Sequence, residues 1–248
     1  MDVTHLAAAL YRRLVATVYP PCCILCGAAG HDQMDICARC YRGLPWIETA
    51  CSQCAIPIAG KTGDELLCGQ CLQKPPAFDS SISLFSYRVD AIKLIHQLKF
   101  NGKLANARLL GGMLATAVNA KTTDRPDSIV PVPLFWKRMR QRGFNQSLEL
   151  ARVVGRVCDI SVNSRSLVRV RDTPSQTGLN KTQRHQNIRG AFELRDAFDA
   201  EHVALVDDVV TTTATVNELA RLLKTAGVRR VDVWSIARAV SPAFRTSA

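Results

Sequence analysis

Apolar residues recur at two different spacings from residue 80 onward. The segment 80–87 alternates apolar and polar side chains, a pattern that is typical of a β-strand. The segments 89–100 and 103–119 instead repeat their apolar residues at helical spacing, and Asn101-Gly102 between them is a helix-stop signal. These patterns predict one strand followed by two helices.

Further along the chain, strand and helix patterns continue to alternate. A short apolar strand is predicted at 128–133, where prolines end it, and the run 203–206 alternates too little for a half-exposed strand, so it predicts a strand buried on both faces. Helical spacing resumes at Val216 and stops near Gly227. The alternation runs to Arg238 and predicts an α/β fold, a mainly parallel sheet flanked by helices.

Two carboxylates and a hydroxyl-rich turn follow the buried run 203–206. The acids are Asp207 and Asp208, and the turn contains Thr211, Thr212, Thr213, Ala214 and Thr215. Ligands of parallel sheets bind at the carboxyl ends of the strands, where a helix N-terminus offers free N–H groups to a phosphate. Threonine hydroxyls add donors, whereas carboxylates suit sugar hydroxyls or a divalent cation. The alternative is an acidic helix cap followed by an ordinary turn.

The end of a second strand is expected to lie at the same crevice. Pro131, Val132 and Pro133 close the predicted strand at 128–133. Proline bars further pairing and can hold a backbone whose N–H groups face an anion. The plain alternative is that this tripeptide merely ends a strand.

The chain is strongly basic, with a net charge of +11 and a pI near 9.4. Segment 131–195 holds thirteen Lys and Arg against four Asp and Glu, which is +9 of the total. Such a surplus is either a solvated face or a groove for a diphosphate or a nucleic-acid backbone. The basic patch contributes Lys137, Arg138, Arg140 and Arg142. The polar loop 165–192, too irregular for a firm element before Phe192, contributes Arg171, Lys181, Arg184 and Arg189.

Nine of the ten cysteines lie between residues 22 and 71, mostly as CxxC pairs. A two-residue gap lets both thiolates of a pair bind one tetrahedral zinc, so four pairs predict two closed structural sites. Taken in sequence order, the ligands are Cys23, Cys26, Cys37 and Cys40 for the first zinc, and Cys51, Cys54, Cys68 and Cys71 for the second. An interleaved pairing remains open, as does Cys22 in place of Cys23.

These features predict three segments. Residues 1–20 form an N-terminal amphipathic helix, in which Arg12 and Arg13 interrupt the apolar run and argue against a signal peptide or a membrane span. Residues 21–75 form a double zinc-ribbon domain, and residues 76–248 form the α/β domain. We therefore expect a cytoplasmic protein without membrane insertion. The five histidines have no carboxylate or cysteine at catalytic spacing, and we expect no catalytic role for them.

The acidic and threonine-rich turn resembles the phosphoribosyl pyrophosphate (PRPP) motif of type I phosphoribosyltransferases, with one departure. Thr213 stands where that motif usually has glycine. Glycine permits a positive φ and close approach of a phosphate, and a β-branched residue does neither well. The loop is therefore expected to be strained or rebuilt, or to hold phosphate less tightly.

Motifs along nearly the whole chain resemble those of ComF-like competence proteins. They include the cysteine pairs, the Pro131–Pro133 tripeptide with the basic patch and Gly143-Phe144-Asn145-Gln146, the stretch 184–192 and the final Ala237-Arg238. The resemblance implies a zinc ribbon fused to a type I phosphoribosyltransferase-like domain, associated with DNA uptake in natural transformation. It also implies structural zinc at two sites and Mg²⁺ bound with PRPP.

Two functions follow from the resemblance and stay open. In the first, the protein is a phosphoribosyltransferase: Asp207 and Asp208 hold the ribose, Thr211–Thr215 the 5′-phosphate, Pro131–Pro133 with Lys99 the pyrophosphate, and the loop 165–192 covers the site. In the second, the protein is not an enzyme and retains a relic PRPP pocket. Its basic face and zinc ribbons then bind single-stranded DNA or a partner from the DNA-uptake machinery.

Overall fold

The structure is a computed structural model that describes residues 20–58, 66–172, 188–196 and 198–239. It contains two compact units, Met1–Leu44 and Pro45–Ala248. The amphipathic helix predicted for residues 1–20 lies almost wholly outside the described residues. No helix among the residues described is long and apolar enough to cross a membrane.

The described part of the first unit is a small cysteine-rich fold. Its helix α1 (Ala38–Gly43) begins after Cys37, whose Sγ accepts a hydrogen bond from the backbone N–H of Cys40. Isolated bridges pair Cys22 with Ala29 and His31 with Met34. With so little apolar surface, such a fold is expected to depend on metal for its stability.

The second unit opens with another cysteine-rich segment that joins the core of the sheet domain. Helix α2 (Gly69–Gln73) carries Cys71 on its buried side. Cys51, Cys54 and Cys71 belong to the same apolar cluster as Phe78 and residues of the central strands. The compact units therefore divide at Leu44, within the segment 21–75 that the cysteine pattern groups as one domain.

A five-stranded parallel sheet organises the second unit, in the order β1-β7-β6-β2-β3. The central strands are buried on both faces, as expected for a parallel sheet covered by helices. The strands are β1 (Ser80–Ser86), β2 (Ser128–Pro131), β3 (Ser161–Val162), β6 (His202–Val210) and β7 (Arg230–Arg238). This arrangement confirms the predicted α/β fold with a mainly parallel sheet.

Among the described residues of the second unit, five helices follow the strands, and all of them except the short, basic helix at Trp136–Arg142 bury apolar side chains. They are α3 (Val89–Asn101), α4 (Leu104–Lys121), α5 (Trp136–Arg142), α6 (Gln146–Cys158) and α7 (Ala214–Thr225). Helix α3 ends at Gly102, which takes the left-handed conformation with φ 62°. The predicted helices at 89–100 and 103–119 therefore lie within two residues of the observed ones.

Two predictions of strand structure were wrong. Strand β6 does not stop at Val206 but continues through both acids to Val210, because backbone pairing with β7 continues to the Val210–Arg238 pair. The loop 165–192 is also less irregular than predicted. Residues Leu167–Arg169 (β4) pair antiparallel with Phe192–Leu194 (β5), and this pairing joins two segments too short to show a period.

Candidate functional site

The candidate site lies at the carboxyl end of the parallel sheet. Strand β6 places Asp207 and Asp208 on opposite faces of the sheet near its end, and β2 ends beside it at Pro131, the register partner of Val206. Helix α7 begins at Ala214, after a short bend. The topology therefore brings the acids, the threonine-rich turn and the proline tripeptide to one edge of the sheet.

Asp208 is a buried carboxylate with a partly buried cation beside it. Its residue is 3% exposed, and its Oδ2 lies 2.6 Å from Nζ of Lys99 on α3, while its Oδ1 accepts the N–H of Val209 at 2.8 Å. Burial lowers the pKa of Lys99, but the charge and hydrogen bond of Asp208 outweigh it and raise the pKa overall. Lys99 therefore keeps its positive charge at neutral pH.

Asp207 points to the opposite side of β6 and has different partners. Its Oδ1 accepts hydrogen bonds from Ser147 Oγ and from the N–H of Asp208, each at 2.9 Å. Burial, with the charge of Asp208 adding to it, raises the pKa of Asp207 to about 7, against the lowering effect of Lys99. Asp207 therefore changes charge near neutrality.

Arginines extend the positive charge around the two acids. Arg142 at the end of α5 is partly buried, which lowers its pKa, and Asp208 opposes that shift. Arg169 on β4 behaves similarly: burial lowers its pKa, Arg138 adds to the effect, and Asp172 and Asp207 oppose it. Together with Lys99, these cations favour a ligand that carries several negative charges.

The proline tripeptide presents its backbone differently from the prediction. Of Pro131, Val132 and Pro133, only Val132 has an N–H, and that group donates to the carbonyl of Val206 at 2.9 Å. The Val132 carbonyl in turn accepts a hydrogen bond from the buried Asn145 Nδ2 at 3.0 Å. The tripeptide therefore cannot offer backbone donors to an anion in this conformation, and its neighbouring cations must supply the positive charge.

Thr213 adopts the backbone conformation for which the motif normally uses glycine. Its φ is 62° and its ψ is −5°, and its Oγ1 donates to the carbonyl of Thr212 at 2.6 Å. The cavity bounded by Asp207 and residues 209–216 has a volume of about 20 Å³, which is room for about one water molecule. The loop is therefore strained at Thr213, and it encloses little free space.

The structure describes two of the four cations assigned to the covering loop. Arg171 Nη2 donates to the carbonyl of Arg189 at 2.5 Å, so the two ends of the loop are tied together. Next to Arg189, the N–H of Gly190 donates to Glu218 Oε1 on α7 at 3.2 Å. Lys181 and Arg184 lie outside the described residues. The two described ends of the loop are therefore held to each other and to α7.

The basic patch is interleaved with exposed aromatic side chains. Lys137 Nζ and Arg140 Cζ lie 5.7 and 5.8 Å from the ring centroid of Trp136, and Arg142 Cζ lies 5.0 Å from that of Phe100. Trp136 is 53% exposed and Phe100 is 59% exposed. Arg138 instead reaches Asp172, with 3.8 Å between Nη2 and Oδ1. Three cations of the patch therefore lie against aromatic rings, and the fourth, Arg138, pairs with Asp172.

The eight CxxC cysteines form two separate groups of four. Within each group the four sulfur atoms lie within 4.8 Å of one another, and the groups follow sequence order: Cys23, Cys26, Cys37 and Cys40, then Cys51, Cys54, Cys68 and Cys71. Cys26 and Cys37 Sγ lie 3.7 Å apart, as do Cys54 and Cys68 Sγ. Tetrahedral zinc with bonds of about 2.3 Å places its sulfur ligands about 3.8 Å apart, whereas a disulfide needs about 2.0 Å. The residues therefore fit two structural zinc sites.

Magnesium has no protein-only site among the described residues, where the cysteine groups alone bring three or more ligand residues together. The acids are compatible with a shared ion, because Mg²⁺ commonly uses one or two carboxylates together with substrate phosphates and water. The described hydrogen bonds of Asp207 use its Oδ1. Both oxygens of Asp208, in contrast, have partners: Oδ1 accepts the N–H of Val209 and Oδ2 lies beside Lys99.

Sequence reasoning missed several partners because they come from distant parts of the chain. At the start of α6, Ser147 donates a hydrogen bond to Asp207 and Asn145 donates one to Val132. Neither pair forms a recognisable pattern in the sequence. His202, predicted to have no carboxylate partner at catalytic spacing, has one in space: its Nε2 lies 2.9 Å from Asp232 Oδ2 at the opposite end of the sheet. Asp232 is buried, and it lies close to His202 only because strands β6 and β7 pair side by side.

Comparisons with known proteins agree with the sequence motifs. A family model described as a double zinc ribbon domain matches residues 14–72. DNA utilization protein YhgH from Escherichia coli K12 is 38% identical over 88% of this chain and 97% of its own. Competence protein F from Haemophilus influenzae is 37% identical over 88% of this chain and 96% of its own. Among solved structures, a purine phosphoribosyltransferase from Pyrococcus horikoshii aligns at 15% identity over 56% of this chain and 89% of its own, with a TM-score of 0.32.

Proposed function

Since the chain belongs to the ComF-like competence protein family, we propose that it binds PRPP with Mg²⁺ at the carboxyl end of its sheet and transfers the phosphoribosyl group to an acceptor. The observation that carries the proposal is the Lys99–Asp208 pair, with 2.6 Å between Nζ and Oδ2, directly beside Asp207 and the threonine-rich loop. A cation beside two acids suits such a ligand, because the cation can bind the diphosphate at its end and the acids can bind the sugar hydroxyls in its middle.

Each residue has a specific part in the proposed reaction. Asp207 and Asp208 accept hydrogen bonds from the ribose hydroxyls, and the N-terminus of α7 with Thr211–Thr215 holds the 5′-phosphate. Mg²⁺, when bound, neutralises charge on the diphosphate. The bond from C1′ to the pyrophosphate oxygen breaks with its electron pair staying on that oxygen, a bond from C1′ to the acceptor nucleophile forms, and the proton of the nucleophile passes to solvent water. Lys99 and Arg142 stabilise the negative charge on the departing pyrophosphate.

Calorimetric titration of the zinc-loaded protein with PRPP and Mg²⁺ tests the binding step. We expect saturable binding by the native chain and a loss of at least tenfold in affinity in Asp207→Asn. The exposed Asp196→Asn is the matched control, because it removes the same charge away from the acids and should leave affinity unchanged. Absence of binding by the native chain, with correct zinc content and folding, would reject the proposal.

We also propose that the protein acts in DNA uptake in the cytoplasm. Support comes from the two relatives, whose names refer to DNA utilization and to competence. An expected consequence is that deletion of the coding sequence lowers transformation by, or growth on, external DNA. Complementation with the Asp207→Asn variant then separates a need for the PRPP site from a need for the rest of the chain.

A second function is favoured by the aromatic and basic surface around Trp136 and Phe100. Single-strand binders combine cations that follow the backbone with exposed rings on which bases stack, and this surface has both. We therefore also propose that the protein binds single-stranded DNA there. Fluorescence anisotropy with a labelled oligothymidine across a salt series tests this, because phosphate contacts make affinity fall steeply as salt rises. No binding at low salt would reject this second function.

A further inference from the structure

Arg238 is a buried cation that the proposed reaction does not use. It is the last residue of β7 and only 6% exposed. Its guanidinium is held by backbone carbonyls: Nε donates to Cys54 O at 2.8 Å, and Nη1 donates to the carbonyls of Val210, Thr211 and Ala239. A buried charge of this kind is costly unless its surroundings compensate for it, so these contacts require an explanation.

One side of the guanidinium contacts the second cysteine group. Cys54 is one of its four residues, and the carbonyl that accepts from Arg238 belongs to that same residue. Zinc with four thiolates carries a net charge of −2, since four negative ligands surround one divalent ion. A loaded site therefore both fixes the position of the Cys54 carbonyl and provides the buried guanidinium with a counter-charge.

The other side of the guanidinium contacts the beginning of the threonine-rich turn Thr211–Thr215, which is the proposed phosphate loop. Val210 ends β6, and Thr211 is the first residue of the bend that leads to the strained Thr213. Nη1 donates hydrogen bonds to both carbonyls, and so it fixes the two peptide groups that set the direction of the loop. Thr213, Arg238, Cys54 and Cys71 also line one cavity of about 570 Å³. The zinc group and the loop are thus neighbours across a single side chain.

We propose that Arg238 is a positioning residue that couples the metal state of the second cysteine group to the conformation of the phosphate loop. Zinc at Cys51, Cys54, Cys68 and Cys71 holds the loop in its binding form through Arg238, and loss of that zinc releases the loop. The expected effect on PRPP affinity rests on the proposed function. The expected effect on the conformation of the loop does not, so either effect can fail without the other.

The experiment measures amide hydrogen exchange of residues 209–215, zinc content and PRPP affinity in the full chain. Arg238→Met is expected to keep both zinc ions, to accelerate exchange of the loop amides at least tenfold and to weaken PRPP binding about tenfold, because a charged donor is lost. Arg238→Lys should recover part of both effects, since lysine keeps the charge but not the fork of donors. Arg230→Met, at the other end of the same strand, is the control for loss of a strand-terminal arginine and should leave the loop unchanged.

A double-variant comparison separates coupling from a general loss of stability. Cys71→Ser should accelerate loop exchange in the native background but add little in the Arg238→Met background, whereas Cys40→Ser in the first group should leave the loop unchanged. The inference is overturned if Arg238→Met leaves loop exchange at the native rate, or accelerates all of β6 and β7 equally. Full additivity of Cys71→Ser and Arg238→Met would overturn it too. If the native protein fails to bind PRPP, the exchange data still decide the coupling.

Discussion

Lys99 and Asp208 form an ion pair in which both partners are largely removed from water. The Nζ–Oδ2 distance is 2.6 Å, and the side chains are 21% and 4% exposed. The pair connects the last turn of α3 to the end of the central strand β6. Desolvation of two charges offsets much of their attraction. The intact pair therefore contributes little net stability, although the loss of either partner alone is costly.

The first prediction concerns removal of one partner of this pair. Lys99→Met leaves the carboxylate of Asp208 buried without its counter-charge, and the free energy of unfolding should fall by about 3–5 kcal/mol. The double variant Lys99→Met with Asp208→Asn removes both charges and should recover a large part of that loss. Urea unfolding of the single and double variants measures both values. Equal losses in the Lys99→Met variant and the double variant would contradict the pairing.

The second prediction concerns the pH dependence of stability at Asp207. Its pKa is raised from 3.8 to about 7 in the folded protein, so between these values the folded state binds a proton that the unfolded chain has lost. Stability due to this group therefore falls as pH rises from about 4 to 7 and is constant above 7. Asp207→Asn removes the effect. The variant should gain roughly 1–2 kcal/mol over the native protein at pH 8, since Asp207 is partly exposed.

Thermal or urea unfolding of both proteins at pH 4.5, 6 and 8 checks this second prediction. The advantage of Asp207→Asn should be smallest at pH 4.5 and should grow toward pH 8. Asp196→Asn provides the baseline, because its carboxyl is exposed and should give the same difference at every pH. A constant or shrinking advantage of Asp207→Asn would show that burial does not raise the pKa of this acid.

The candidate residues that the sequence groups together follow one another along the chain. The two acids and Thr211–Thr215 lie on one strand and the turn after it, so residue type and spacing are enough to select them as candidates. Ser147 and Arg238 meet the same site from other elements. Their roles depend on strand order, and no local pattern encodes it. The same limit applies to β4 and β5, whose pairing spans the loop between them.

The two backbone details that differ from expectation have a common physical cause. Parallel pairing of β6 with β7 carries the strand past Val206 to Val210, and pairing of β6 with β2 uses the N–H of Val132. Residue types around Asp207 suggested a turn, yet hydrogen bonding within the sheet decided the backbone. Propensity is therefore overruled where a buried strand still has partners on both sides.

The third prediction concerns the aromatic surface of the basic patch. Trp136→Ala removes an exposed ring that Lys137 and Arg140 approach, and it should weaken binding of single-stranded DNA by about 1–3 kcal/mol, or roughly 5- to 150-fold. Affinity for PRPP should stay within about twofold. Anisotropy at fixed salt measures the first value and calorimetry the second. The exposed Val157→Ala, on α6, is the control for loss of a large apolar side chain, and native DNA affinity in Trp136→Ala would reject the stacking surface.

The fourth prediction separates two effects of Thr213, its strained backbone and its side chain. A residue with a Cβ in the left-handed region costs about 1–2 kcal/mol relative to glycine, and glycine returns roughly 0.5–1 kcal/mol through greater freedom in the unfolded chain. Thr213→Gly should therefore raise the free energy of unfolding by about 0 to 1.5 kcal/mol. PRPP affinity should rise about tenfold, because glycine adopts this conformation without strain and lets a phosphate approach the backbone closely.

Thr213→Ala identifies which effect controls phosphate binding. Alanine removes the hydroxyl and the methyl group but keeps the Cβ and the unfavourable φ of 62°. If the backbone is the obstacle, Thr213→Ala should bind PRPP no better than the native protein while Thr213→Gly binds more tightly. Equal gains in both variants would assign the obstacle to the bulk of the side chain. Weaker binding in both would mean that the Thr213 hydroxyl contributes to the phosphate site, and the idea of a disabled loop would have to be abandoned.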